Sequence, residues 1–157
     1  MKIVIVSVAQ KVPHWVQDGW NEYIKRLPND WSIDMKDIKP ESRTLGKTST
    51  QIMFAEAQRI ELAVNQLNGV KIALDEHGQN LTSFQFSQLL SMQSDEGQTV
   101  ILIIGGPDGL DPAFKAKCDK LVRMSSMTLP HALVRVLLAE QIYRAWSISA
   151  GHPYHRA

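Results

Sequence analysis

The stretch TVILIIGGPDGL, Thr99 to Leu110, decides the fold. Five of its first six residues are apolar and mostly β-branched, which suits a strand buried on both faces. Gly105 and Gly106 follow at once and permit a close backbone approach. Asp111-Pro112 then supplies an N-cap and a proline at the first helical position, so a helix runs to about Lys120. A buried strand, a glycine turn and a helix in succession are part of a β–α–β unit.

The same rhythm extends outward in both directions. Lys2–Val8 (KIVIVSV) is a second buried strand, followed by a helix from Pro13 to Leu27 with apolar residues at helical spacing. Trp31–Ile38 alternates as a strand. Pro40–Lys47 is a polar loop, Thr48 or Ser49 caps a helix to about Leu67, and Asn68-Gly69 ends it. Val70–Leu74 is a short strand with Asp75–Gly78 as the loop at its carboxyl end. Thr82 or Ser83 opens a helix to about Met92, Leu121–Met124 is a last strand, and His131–Ala150 is the longest helix. Strictly alternating strands and helices predict α/β layers around a mostly parallel sheet flanked by helices. In such sheets ligands sit beyond the carboxyl ends of strands, here Leu74–Gly78, Gly105–Leu110 and Ser125–Pro130.

The chain has 157 residues and a mass of 17.7 kDa, which fits one domain over residues 1–157. Hydrophobic residues make up 44% and charged residues 21%, which excludes disordered and collagen-like classes. No apolar run is long enough to span a membrane, and the opening run, which alternates like a strand, is too short for a signal-peptide core. Cys118 is the only cysteine, so an internal disulfide is impossible and a reducing cytoplasm is the expected compartment. Net charge is only +1, but Arg135, Arg144 and Arg156 stand against a single Glu140 after residue 130. Positive potential therefore gathers near that end.

The glycines fit neither GxGxxG nor GxxxxGK[ST], which disfavours dinucleotide and P-loop nucleotide sites. Ser125-Ser126-Met127-Thr128-Leu129-Pro130 offers small hydroxyls and exposed backbone to a purine edge, with Met127 and Leu129 to cover its face; taken by itself, the segment reads more simply as an N-cap loop for the following helix. The helix from His131 is apolar around most of its circumference, so it needs cover on more than one side, and a two-fold dimer would supply it. Glu140 and Arg144 form a favourable i,i+4 pair. His152, Tyr154, His155 and Arg156 place acid/base and anion-binding groups within five positions. His152 and His155 have no nearby carboxylate or thiol to complete a zinc site, so no metal is expected. Cys118 stands among Lys115, Lys117 and Lys120, which could lower its pKa, but a structural thiol is the simpler reading.

In combination these segments resemble one family. Ile103–Leu110, then Ser125–Trp146, then His152–Arg156 (HPYHR), together with the opening residues 2–28, closely resemble the RlmH family of the SPOUT class, which methylates N3 of a pseudouridine in 23S rRNA. His77 and Met127 depart from the residues more usual there, without disturbing the pattern. The resemblance implies a SPOUT-type α/β knot with a C-terminal trefoil knot, which sequence rules alone would never suggest. It implies an S-adenosylmethionine site at Leu74, Gly105, Gly106, Ser125, Ser126, Met127, Thr128, Leu129 and Pro130. It implies a homodimer acting on the helix-69 loop of 23S rRNA in the assembled ribosome. His155 would be the general base, Arg156 would stabilise charge or hold a phosphate, and Tyr154 would stack on the target base. Arg135 and Arg144 would hold RNA phosphates or stabilise the dimer. The competing expectations are a SPOUT enzyme acting on tRNA or a ribose 2′-oxygen, and a noncatalytic ribosome-binding module.

Overall fold

A computed structural model describes residues 1–156. Five strands and five helices alternate: β1 (Lys2–Val8), α1 (His14–Ile24), β2 (Ser32–Ile38), α2 (Ser49–Val64), β3 (Gly69–Asn80), α3 (Ser83–Asp95), β4 (Thr99–Ile104), α4 (Pro112–Lys117), β5 (Lys120–Arg123) and α5 (His131–Ser149). The strands form one fully parallel sheet in the order β2-β1-β4-β3-β5. The steps β1→β2 and β3→β4 run one way across the sheet, with α1 and α3 on one face. The steps β2→β3 and β4→β5 run the other way, with α2 and α4 on the opposite face. Direction and face switch together, as connections of a single hand require.

Alternation within each strand divides the core. Ile3, Ile5, Val100 and Leu102 face α1, α3 and α5, whereas Val4, Val6, Ile101 and Ile103 face α2 and α4. Both faces are covered, which is why β1 and β4 read as unbroken apolar runs. Truncating a fully buried residue such as Ile103 to alanine should cost about 2–5 kcal/mol. Thr48 and Thr82 each close a capping box, with Gln51 and Gln85 respectively, and Asp111 caps α4 ahead of Pro112.

The structure departs from the sequence expectations in informative places. α1 stops at Ile24 and α4 at Lys117, so β5 starts one residue earlier than expected. β3 is longer: it runs to Asn80 and passes β5 twice. Val122 pairs with Leu74 and again with Gln79, and residues 75–78 bulge outward between the two pairings. At Gly78 a Cβ would stand 2.6 Å from the Val122 backbone, so only glycine lets the two chains cross this closely. α5 lies in a trough between α1 and α3, which bury Leu138, Ala139, Ile142 and Ala145. Leu133, Val136, Leu137, Trp146 and Ile148 on the same helix remain half-buried.

Candidate functional site

The three strand ends singled out in the sequence meet in one cleft of about 470 Å³. This falls within the roughly 300–1,000 Å³ usual for pockets that take cofactor-sized ligands. Leu74, Gly105, Gly106, Ser125, Met127, Thr128 and Leu129 all line it. Ser126 and Pro130 do not line the cleft; Ser126 is exposed, and Pro130 stands at the N-cap of α5. Its walls also include Asp75, from the first of those strand ends, and residues that sequence reasoning did not assign to the site, among them Met53, Lys115 and His131.

The cleft combines apolar walls with backbone polarity. Leu74, Ile104, Met124, Met127 and Leu129 supply flat apolar surface, and the Gly105–Gly109 turn supplies peptide groups. Lys115 Nζ reaches Asp75 Oδ2 at 3.0 Å, with the Asp75 side chain 8% exposed. At the rim, Arg43 reaches Asp108 Oδ2 at 2.7 Å and ties the polar loop after β2 to the glycine turn. His131 sits at the foot of α5 close to the carbonyls of Val8 and Gly105. Burial, aided by the Arg135 charge, holds its pKa below the ordinary value in spite of those carbonyls.

The glycines of the turn meet a packing constraint in addition to the close approach expected from the sequence. A Cβ at Gly105 would stand 2.9 Å from Leu110 Cγ, and one at Gly106 would stand 3.0 Å from Glu56 Oε1. Side chains there would press into the packed wall behind the cleft. Glycine is needed so that the turn can lie flat on Leu110, Val8 and Glu56. Glu56 Oε1 is itself buried and has no hydrogen-bond partner among the described residues.

The segment after α5 does not reach this cleft within its own chain. It folds back along α5, where the Tyr154 hydroxyl donates to Glu140 Oε1 at 3.0 Å and the Tyr154 ring meets Tyr143 edge-on at 4.6 Å. The Arg144 guanidinium lies over the Tyr154 ring and also binds Glu140. Burial and the Glu140 hydrogen bond push the Tyr154 phenol up to about 12, so it keeps its proton and acts as a donor. Arg144 also lies 3.4 Å from His155 Nδ1. Because Arg can only donate, this contact leaves the proton of a neutral His155 ring on Nε2. Glu140 stands nine residues beyond His131, roughly 14 Å along the helix. Tyr154 and His155 therefore rest against the Glu140–Arg144 end of α5, apart from the cleft, and Arg156 follows them exposed.

Two further expectations are settled by geometry. Arg135 is 5% exposed and bonded to Asp37 Oδ1 at 2.6 Å, so within this chain it is enclosed and tied to β2 instead of presented to phosphates. Burial pushes Cys118 up to about 11 and outweighs the charge of Lys71, the lysine that acts on it, which fits a structural thiol. Among the described residues, no group of three or more His, Cys, Asp or Glu is placed to hold a metal ion, and no helix is long and apolar enough to cross a membrane.

A parallel α/β sheet with a ligand-sized cleft at its carboxyl edge, bounded by a glycine turn and two further loops, has the architecture of a small-molecule-binding α/β protein. The family model described as "Predicted SPOUT methyltransferase" matches residues 1–155, and the chain belongs to that family. Within it, the chain is similar to proteins named ribosomal RNA large subunit methyltransferase H. The protein of that name from Bordetella petrii is 51% identical over 157 residues, covering 100% of both chains. The one from Herminiimonas arsenicoxydans is 52% identical over 157 residues, covering 99% of each. The solved structure of the SpoU methyltransferase AviRb from Streptomyces viridochromogenes, in complex with AdoMet, aligns at 16% identity and a TM-score of 0.47, over 94% of this chain and 58% of that one.

Proposed function

We propose that this chain uses S-adenosylmethionine to methylate N3 of a pseudouridine in the helix-69 loop of 23S rRNA, on the assembled ribosome in the cytoplasm. The observation that carries the proposal is the convergence of Leu74, the Gly105–Gly106 turn and the Ser125–Leu129 loop on one cleft. Full-length similarity to proteins named as large-subunit rRNA methyltransferases supports the substrate class. The cleft fits the cofactor: it has the volume, apolar walls for an adenine, and an unpartnered carboxylate oxygen behind the turn to face a cation. Leu74, Met127 and Leu129 would hold the purine, and the peptide groups of Gly105, Gly106 and Ser125–Pro130 would receive its polar edges. Bound there, the cofactor supplies an electrophilic methyl group.

The chain's own residues handle the acceptor. N3 of pseudouridine is a weakly acidic imide, and its proton must leave before it can act as a nucleophile. His155 takes that proton at Nδ1 once its contact with Arg144 opens, a contribution of ~10²–10⁴-fold for a positioned base. Arg156 stabilises the negative charge of the deprotonated ring. Tyr154, a phenol that keeps its proton, stacks on or donates to the base.

These groups lie apart from the cleft in their own chain, so the site is composite. Two copies form a homodimer, and the segment after α5 of one copy closes over the cleft of the other. The half-buried apolar residues of α5 supply surface for that contact. We read the double passage of β3 across β5, with α5 returning between α1 and α3, as the trefoil knot of the family. Incubation with labelled S-adenosylmethionine and intact ribosomes, followed by nucleoside analysis, tests the proposal. Label in N3-methylpseudouridine is expected; label confined to transfer RNA or to ribose 2′-oxygens would overturn it.

A further inference from the structure

Glu56 has no task in the reaction proposed above, and its placement is costly. It lies four residues after Ile52 and four before Ile60 on α2, so helical spacing aims it at the sheet, and it is 3% exposed. Oε2 accepts the Glu41 backbone N–H at 3.0 Å. Oε1 is buried without a donor among the described residues. A buried carboxylate oxygen left without a partner loses its hydration for nothing in return.

The surroundings show where compensation can come from. Oε1 fills the space that a side chain at Gly106 would occupy, and Gly106 forms part of the cleft wall. The carboxylate thus stands behind a wall one glycine thick. Arg43 and Arg59 favour its ionised form, but dehydration and Asp108 outweigh them and raise its pKa above the usual carboxylate value. Both arginines are engaged elsewhere, Arg43 with Asp108 and Arg59 with Glu41 and the Lys39 carbonyl. Of the cleft's own carboxylates, Asp75 has Lys115, Asp108 has Arg43, and Glu76 is exposed beside His77. Glu56 does not itself line the cleft; its unpartnered Oε1 abuts Gly106, which does.

We propose that Glu56 is a specificity residue: a buried negative charge behind Gly106 that favours the cationic methyl donor over its neutral demethylated product. The proposal rests on the cleft being the S-adenosylmethionine site. S-adenosylmethionine and S-adenosylhomocysteine share the adenosine and amino-acid portions and differ by one methyl group and the sulfonium charge. Every backbone contact in the cleft acts on both alike, whereas a fixed charge acts on the difference. Packed protein between them screens that charge less than water would. Favouring the cation also opposes the loss of charge during transfer, so the gain lies in donor capture and product release instead of the chemical step.

Calorimetric titration of both ligands into the wild-type chain, Glu56→Gln and Glu56→Met tests this. Glutamine keeps an acceptor for the Glu41 amide and removes the charge. Methionine replaces the carboxylate with an apolar chain of similar volume, which buried sites tolerate well. Both variants should lose roughly five- to tenfold in S-adenosylmethionine affinity relative to S-adenosylhomocysteine, the scale of one charge acting through a part-dehydrated wall. An equal change for both ligands, or no change, overturns the proposal. Failure of the cleft assignment has a different signature: the wild-type chain binds neither ligand, or S-adenosylhomocysteine binds without slowing amide exchange at Gly105–Gly109 and Met124–Leu129. In that case the Glu56 proposal falls with it.

Discussion

The Tyr154 hydroxyl donates to Glu140 at 3.0 Å, and Glu140 lies two helical turns and more beyond the cleft residue His131 on the same helix. That hydrogen bond fixes where the HPYHR segment rests when the chain is alone. It separates His155, the proposed base, from the proposed cofactor cleft, and in the proposed reaction the two are joined between copies.

Replacing His155 with alanine should slow methyl transfer by ~10²–10⁴-fold while S-adenosylhomocysteine binding stays at the wild-type level. His155 is proposed to act on the acceptor and is not among the residues lining the cleft, so calorimetry should see no loss. An unchanged rate with intact ribosomes would remove His155 as the base.

Gly78→Ala should destabilise the protein by about 2–3 kcal/mol, at the upper end of overpacking costs. The added methyl would stand 2.6 Å from the Val122 backbone, and neither strand can yield without breaking the Leu74 or Gln79 pairing. Denaturant unfolding measures it; a change under 1 kcal/mol, smaller than the usual range, would show that the crossing is looser than described.

Arg135→Ala should cost about 1.5–3 kcal/mol of stability, as for a hydrogen bond between charged groups. It should leave the salt dependence of ribosome binding unchanged, because an enclosed guanidinium releases no counterions from phosphate. A shallower salt slope in the variant would return Arg135 to the RNA contacts.

His131 makes acid a specific stress on the cleft. Its folded-state pKa is held below the ordinary 6.5, so the unfolded chain binds more protons between the two values. The stability this contributes is complete above about pH 6.5 and is lost as pH falls from there through the folded-state value. His131→Gln should flatten that part of the melting-temperature profile; an identical slope in the variant would assign the acid sensitivity to other groups.

Much of this architecture was legible in the sequence because its signals are local. Two-faced burial wrote itself into KIVIVSV and TVILII, and Thr48, Thr82 and Asp111 announced their helices. The strand-end rule located the cleft before any coordinates did. What stayed hidden depends on contacts distant in sequence. Arg135 and Asp37 are 98 residues apart, and nothing near either one signals the other. Gly78 looked like an ordinary loop glycine because its need lies in the backbone of β5. Glu56 was recoverable in principle: Ile52, Glu56 and Ile60 share a helical stripe, and a carboxylate on an apolar stripe is a signal in its own right. A homodimer was expected from the family resemblance, but which chain would supply His155 to a given cleft could not be read from residues near either one.

Mixed pairs of chains test the central claim most directly. Thr128 is exposed and lines the cleft, so Thr128→Trp should fill the site without disturbing the core. His155→Ala chains and Thr128→Trp chains should each be nearly inactive on ribosomes. Coexpressed with random pairing, about half the dimers would be mixed, each with one of two sites intact, so roughly a quarter of wild-type activity should return. Mixed dimers that form but remain inactive would mean that His155 serves the cleft of its own chain, and the shared site would be contradicted.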